Sequence, residues 1–324
     1  MIFPNGFTTV IQILSLLPPA SPAEVSEVLR SLNSRKASGP NSLPIPVISS
    51  VSDAISIILC EIINLSFSTG TYPDKLKEAS VIPVFKNKGS PFEVENYRPI
   101  SLLSNVDKIF QKLMHKRLIK FLESSKILNP TQFGFRSKHS TELALCHCVE
   151  KISKAIDSRK FGCGIFIDLQ KAFDTVDHNI LLSKLDFYGV RGISLDWFRS
   201  FLLNRFQSVS ISGFKSKLRC IFHGVPQGSV LGPLLFLLYI NDLSNAIPYA
   251  DLNLFADDTF LFDCDFSLKS LNKRANIDLK LLTHWLNANK ISLNRSKTEL
   301  MIFKPKRKTI DFDMKIKING HRLL

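Results

Sequence analysis

The sequence predicts an α+β fold built on a mainly antiparallel sheet, and three stretches carry that prediction. Cys163 to Leu169 (CGIFIDL) is apolar on both parities, as a strand covered on both faces should be, and it reaches a carboxylate at Asp168. Leu252 to Phe262 (LNLFADDTFLF) is two short apolar runs with Asp257-Asp258 between them, the pattern of a hairpin with acids at its turn. Leu268, Leu271, Ala275, Leu279, Leu282 and Leu286 recur three or four residues apart, a helical stripe. Strands and helices in this order, without strict strand–helix–strand alternation, favour an antiparallel sheet packed on helices.

The other elements follow in chain order. Ser21-Pro22-Ala23-Glu24 offers a capping serine, a proline at the first helical position and a glutamate three residues after the cap. Val25, Val28, Leu29 and Leu32 then mark one helical face, and Lys36 to Pro46 reads as a loop. Residues 53–68 read as a buried helix, Val81 to Phe85 as a short strand, and 106–122 as an amphipathic helix. After the CGIFIDL strand come helices at about 175–188 and 194–204 and a loop around Pro226-Gln227-Gly228. An apolar helix over 229–243 and short strands near 291–293 and 299–303 complete the series. No internal repeat or low-complexity stretch interrupts it.

The 324 residues are 45% apolar and 22% charged, a globular composition that excludes a disordered chain. Lys plus Arg is 42 against 28 Asp plus Glu, a formal net charge of +14. Such a surplus points to a polyanion, nucleic acid first and a membrane surface second. The run Leu231 to Ile240 contains Gly232 and Pro233 and is too short to span a bilayer, and the proline-broken start lacks the basic region of a signal peptide. No membrane partner is expected. The six cysteines form no CxxC pair; Cys146 and Cys148 flank His147 in a helix-like stretch without a second ligand pair, so structural thiols in a reducing compartment are expected.

Asp168, Asp257 and Asp258 stand out because apolar strands hold them. A charge buried without a partner costs several kcal/mol, so acids in such runs need one. If the two strands are neighbours, three carboxylates converge from positions far apart in the chain, and a hard divalent cation such as Mg²⁺ suits an all-oxygen site. The plainer alternative is a solvated Asp-Asp hairpin turn. Beside such a site Gln227 can hydrogen-bond a base or sugar, and the glycines around it allow close backbone approach. Lys86, Lys88, Arg98, Arg136 and Lys138 could neutralise phosphates.

Seven ordered motifs carry a family resemblance: VIPVFKNKG (81–89), NYRPISLLS (96–104), QFGFR (132–136), IFIDLQKAFDTVDHNILLSKL (165–185), GVPQGSVLGPLLFLLYINDL (224–243), FADDT (255–259) and LNRSKTELMIF (293–303). Over about residues 30–320 the chain resembles the reverse transcriptase of a jockey-like, non-LTR (LINE-type) retrotransposon. The resemblance implies fingers (21–160, after an N-terminal segment 1–20) and a palm (161–304) of a right-handed polymerase. Residues 305–324 would begin a primer-grip hairpin, with the thumb absent or truncated. It further implies an RNA-directed DNA polymerase acting on an RNA template, a DNA primer and dNTPs. Asp168, Asp257, Asp258 and the Leu169 carbonyl would hold two Mg²⁺ ions, with Mn²⁺ possible.

By the same resemblance Phe173 is a steric gate against a 2′-OH, and Gln227 and Gly228 touch the nucleotide and template. Arg98 with Lys86 or Lys88 holds the triphosphate, and Lys297 serves the leaving pyrophosphate. Ala256 leaves room for the primer end. Asn41 and Ser42 depart from the family's more usual acid and glycine. An endonuclease and thumb would come from elsewhere or be lost, so a catalytically inactive nucleic-acid-binding remnant is the alternative. A polymerase copying RNA into RNA is a second, against which Phe173 argues. Action in the nucleus, the cytoplasm or both would follow, and KPKRK (304–308) reads as a basic face.

Overall fold

The computed structural model describes residues 17–33, 37–40, 42–318 and 321–322. The N-terminal segment through residue 16, Asn41 and most of INGHRLL lie outside these. From the start run α1 (Pro22–Arg30), α2 (Ile45–Ser50), α3 (Ser52–Thr69), β1 (Glu78–Phe85), β2 (Tyr97–Leu102), α4 (Asn105–Ser124) and α5 (Thr141–Asp157). Next come β3 (Phe161–Ile167), β4 (Leu169–Gln170), α6 (His178–Phe187), α7 (Ile193–Leu202), β5 (Arg205–Ile211), β6 (Phe214–Lys215), β7 (Arg219–Ile221) and α8 (Gly232–Ile240). The chain closes with β8 (Asp251–Phe255), β9 (Asp258–Asp265), α9 (Leu268–Ala288), β10 (Ser292–Leu293), β11 (Glu299–Phe303), β12 (Lys317–Ile318) and β13 (His321–Arg322). The class is α+β.

The described residues divide into two compact units, one from 17–127 with Val176–Phe236, the other from Leu128–Thr175 with the described residues from Leu237 onward. A linear division at 160/161 groups 176–236 with the strand-held acids, whereas by contact that segment packs with the chain's first third.

The unit holding 128–175 and 237 onward is built on an antiparallel sheet of order β11-β3-β9-β8. CGIFIDL supplies its central strand, buried at every position of β3 except Phe166. Phe260 and Phe262 of β9 pack with Ala155 of α5, with Ile152 and Phe303 against them. The predicted stripe of α9 is buried along its length. Asp278 on that helix is also buried, and it accepts N–H bonds from Tyr249 and Ala250, fixing the chain just before β8.

The other unit centres on aromatic side chains. Tyr72 lies edge-on to Trp197 and to Phe201, each with ring centroids 5.1 Å apart. Such pairs add about 0.5–1.5 kcal/mol beyond the area they bury. Trp197 Nε1 donates to Ser66 Oγ at 3.0 Å, so its polar atom is satisfied in the core. The predicted cap of α1 is present, Ser21 accepting from Glu24 N–H, and Ser104 caps α4 in the same way by accepting from Asp107 N–H.

The sheet of this unit, β2-β1-β5-β6 with β7 on β5, is antiparallel except where β1 and β5 run parallel, in keeping with a mainly antiparallel fold. Two other readings need correction. The strands over 205–221 were not foreseen, since their alternation is weak, the partner β1 of β5 lies more than a hundred residues earlier, and β6 and β7 pair with β5. Helix α3 was read as buried, yet it buries Leu59, Cys60, Ile63 and Phe67 while Ile57, Ile58, Ile62 and Leu65 are exposed. That two-sided apolar content makes it, among the described residues, a helix long and apolar enough to cross a membrane; its packing on α1 and α7 is that of a half-buried core helix. All six cysteines are free.

Candidate active site

The strand register brings the acids together. β3 pairs antiparallel with β9 as far as Ile167 opposite Thr259, and one step further along the same register sets Asp168 beside Asp258. β8 and β9 close as a hairpin whose last pair is Phe255 opposite Asp258, leaving Ala256 and Asp257 as the turn. The carboxylates therefore stand at one end of two adjacent strands. Asp168 and Asp257 are half-buried and Asp258 is more exposed.

Leu169, buried, turns the chain away into β4, where it lies opposite Leu293 of β10. That short pairing delivers Asn294, whose N–H donates to the Asp168 carbonyl (2.8 Å) and whose Nδ2 donates to Asp168 Oδ2 (2.7 Å). Three residues on, Lys297 Nζ lies 3.2 Å from the same carboxylate oxygen. The structure thus joins Asp168, Asp257, Asp258 and Lys297 in one place. Asn294 is a member that sequence reasoning missed, although it lies inside the LNRSK motif.

Burial pushes the Asp257 carboxyl above the usual carboxylate range, and the charges of Asp258 and Asp168 push it further, against the pull of Lys297. Asp258 is raised for the same reasons, burial first and then Asp168. Three carboxylates at one sheet end form an all-oxygen donor set suited to a hard divalent cation. Among the described residues no three His, Cys, Asp or Glu side chains are already gathered tightly enough to hold a metal ion. Asp168 is instead turned onto Asn294 and Lys297. The chemistry of the donors fits a hard divalent cation.

Phe173 is half-buried and meets Phe135 edge-on, with centroids 6.2 Å apart. Arg136, expected to meet phosphate, instead donates to the Asn129 carbonyl at 2.8 Å and is half-buried; Lys138 is exposed.

The remaining predicted residues belong to the other unit. Lys86, Lys88 and Arg98 are exposed on the β1–β2 hairpin. Lys86 Nζ donates to the Glu95 carbonyl across it. The Gln227 carbonyl accepts from Ser101 N–H at 2.7 Å, laying the Pro-Gln-Gly loop along β2. Gly228 has φ +108°, and a Cβ there would stand 2.8 Å from the Ser101 carbonyl oxygen, so both conformation and space call for glycine.

A buried polar chain supports that loop from behind. Gln111 Oε1 accepts from Val230 N–H (2.8 Å) and Leu231 N–H (3.1 Å), and Gln111 Nε2 donates to Asp107 Oδ2 (2.7 Å). Asp107 also accepts from the Tyr72 hydroxyl. The groups facing it are Tyr72, Gln111, Arg205 and Lys108, and burial outweighs their help, raising its carboxyl to about 6. An acid raised on folding stabilises fully below its unfolded value, and that contribution is lost as pH rises through the folded one. Between about pH 4 and pH 6 the stability of the wild-type chain relative to Asp107→Asn is therefore expected to decline, by up to about 3 kcal/mol. Urea melts of both proteins at several pH values check this; parallel curves would contradict it.

The family profile described as reverse transcriptase (RNA-dependent DNA polymerase) matches residues 85–314. The chain is 31% identical over 287 residues to the RNA-directed DNA polymerase from mobile element jockey of Drosophila melanogaster, covering 86% of this chain and 31% of that protein. It is 31% identical over 308 residues to the probable RNA-directed DNA polymerase from transposon BS of the same species, covering 91% and 33%. The Pol polyprotein of retrotransposable element R1 from Bradysia coprophila is 29% identical over 295 residues, covering 89% and 28%. The chain spans about a third of the length of these relatives. With the profile covering most of the chain and the acids of its motifs meeting at one sheet end, the chain carries a reverse transcriptase domain of the jockey-like, non-LTR kind and belongs to the reverse transcriptase family.

Proposed function

We propose that this chain is an RNA-directed DNA polymerase that extends a DNA primer on an RNA template with dNTPs. The observation that carries the proposal is the meeting of Asp168, Asp257 and Asp258 at one end of two paired strands, with Lys297 beside them. In the reaction the primer 3′-oxygen bonds to the α-phosphorus, the bond to the β-phosphate oxygen breaks, and pyrophosphate leaves. Asp168, Asp257, Asp258 and the Leu169 carbonyl would hold the divalent cations, Mg²⁺ or Mn²⁺. Two such ions when bound supply the charge that activates the 3′-hydroxyl and neutralises the leaving oxygen.

The chain's own groups do the rest. Lys297 neutralises or protonates the departing pyrophosphate once the carboxylate it now pairs with is engaged. Phe173 lies under the sugar and refuses a 2′-hydroxyl. Lys86, Lys88 and Arg98 meet the triphosphate, and Gln227 and Gly228 meet the base pair. In this reading the unit with the acids is the palm, the β1–β2 hairpin belongs to the fingers, and the enzyme works where chromosomal DNA supplies primers, in the nucleus. The net charge of +14 supports a polyanion partner.

Mg²⁺-dependent extension of a labelled DNA primer on an RNA template by the purified chain is the test, with a binding titration on the same duplex. Extension is the expected result. Tight binding without extension would overturn the polymerase reading and leave a nucleic-acid-binding domain.

A further inference from the structure

The turn that carries Asp257 is gripped by a side chain without a part in the reaction above. Residues 131–133 run alongside β8: Leu254 N–H donates to the Thr131 carbonyl (2.9 Å), and Phe133 N–H donates to the Leu254 carbonyl (2.8 Å). Gln132 and Leu254 thus form an isolated parallel bridge. Where that ladder ends, the Gln132 side chain continues it. Its Oε1 accepts from Ala256 N–H (3.0 Å) and from Gly134 N–H (2.8 Å).

Ala256 needs such support. It has φ +56°, the left-handed region that costs an alanine about 1–2 kcal/mol, and it is buried. Segment 132–134 comes so close that a Cβ on Gly134 would stand 2.4 Å from Ala256 N, so only glycine permits the approach. The orientation of the Gln132 amide follows from its partners, because reversing it would aim NH₂ at two N–H donors.

Its other end has no such partner. Gln132 is 3% exposed, and Nε2 is a buried donor without a hydrogen bond. An unmet buried donor is a net cost to the fold, which the acceptor end of the same amide must outweigh. Glutamate would offer the same acceptor but would replace the unmet donor with a buried carboxylate oxygen and add a negative charge to the unit that holds Asp257 and Asp258, whose carboxyls are already raised. What the turn uses is the acceptor oxygen, which glutamine supplies without a charge.

We propose that Gln132 is a positioning residue for Asp257: its carbonyl oxygen holds Ala256 in the left-handed conformation and so sets the direction in which the Asp257 carboxylate leaves the turn. The inference rests on the reading of Asp257 as a reacting-site acid. Displacement of a catalytic group by about 1 Å costs on the order of 10²-fold in rate. Gln132→Met keeps the length and removes the acceptor. It is expected to slow nucleotide addition at saturating dNTP by about 30-fold, with KM for dNTP and duplex affinity within about threefold of wild type. In the metal-free chain, amide hydrogens of segment 254–258 are expected to exchange about tenfold faster, as the loss of one hydrogen bond predicts.

Hydrogen exchange judges the grip without any turnover, whereas Asp257→Asn judges the catalytic reading, so the two can fail separately. Wild-type exchange in Gln132→Met overturns the proposal, as does faster exchange with unchanged turnover. Gln132→Glu retains the acceptor and provides the rescue: protection of 254–258 returns to the wild-type level if the oxygen is what matters. If Gln132→Met does not fold, the exchange of Gln132→Glu alone decides, and loss of protection in it overturns the proposal.

Discussion

Asp257→Asn is expected to reduce primer extension by on the order of 10³-fold or more while the chain melts at the same temperature or higher. The two halves of that expectation share one cause. Burial and the charges of Asp258 and Asp168 raise the Asp257 carboxyl, so its ionised form is opposed by the fold. A group raised in this way stabilises only below its unfolded value, and at neutral pH its charge subtracts from stability. Asparagine keeps the shape and removes the repulsion. It also removes one negative charge and one of two ligand oxygens from the donor set, leaving a single, weaker amide oxygen for a hard cation. Extension assays and thermal melts on the same preparation check both halves. A variant that extends normally removes the assignment of the acids, and one that melts many degrees lower shows that Asp257 is part of the structural frame.

The acids were legible because the sheet that holds them is written in local patterns. CGIFIDL is apolar on both parities, and the two runs of LNLFADDTFLF have the length of paired strands, so the strand ends and their carboxylates could be placed from sequence. The helical stripe from Leu268 to Leu286 matches the buried face of α9 for a similar reason: its period is intrinsic to the helix. What escaped depends on distant partners. β5 (RFQSVSI) keeps no strict alternation and gains its identity from parallel pairing with β1, which no local period encodes. Apolar content in α3 suggested full burial, but hydrophobicity alone does not tell which face another element covers. Gln132 and Asn294 sit in the QFGFR and LNRSK motifs, yet their roles are hydrogen bonds to residues more than a hundred positions away. Arg136 holds the Asn129 carbonyl seven residues back, a contact that no pattern in QFGFR announces.

Phe173→Val is expected to raise incorporation of ribonucleotides relative to deoxyribonucleotides by about 10²-fold, with dNTP efficiency within about fivefold of wild type. The size follows from what a gate can do. A pocket without a hydrogen-bonding partner for a hydroxyl discriminates mainly by steric overlap, worth about two to three kcal/mol. That discrimination requires a ring that does not move aside. Phe173 meets Phe135 edge-on at 6.2 Å with the ring planes 88° apart, so a second aromatic braces it from within the same unit. Phe135 is itself largely exposed and held at φ +53°, a conformation that a phenylalanine adopts only under constraint. Removing the brace with Phe135→Ala should therefore relax discrimination in the same direction by a smaller factor, about tenfold, although Phe173 is intact. Competition between labelled rNTP and dNTP on one RNA template measures both variants. Unchanged discrimination in Phe173→Val would make the ring ordinary packing. Relaxation in that variant alone would show that the gate stands without its brace, and a wild-type chain that accepts ribonucleotides equally well would point to an enzyme that copies RNA into RNA.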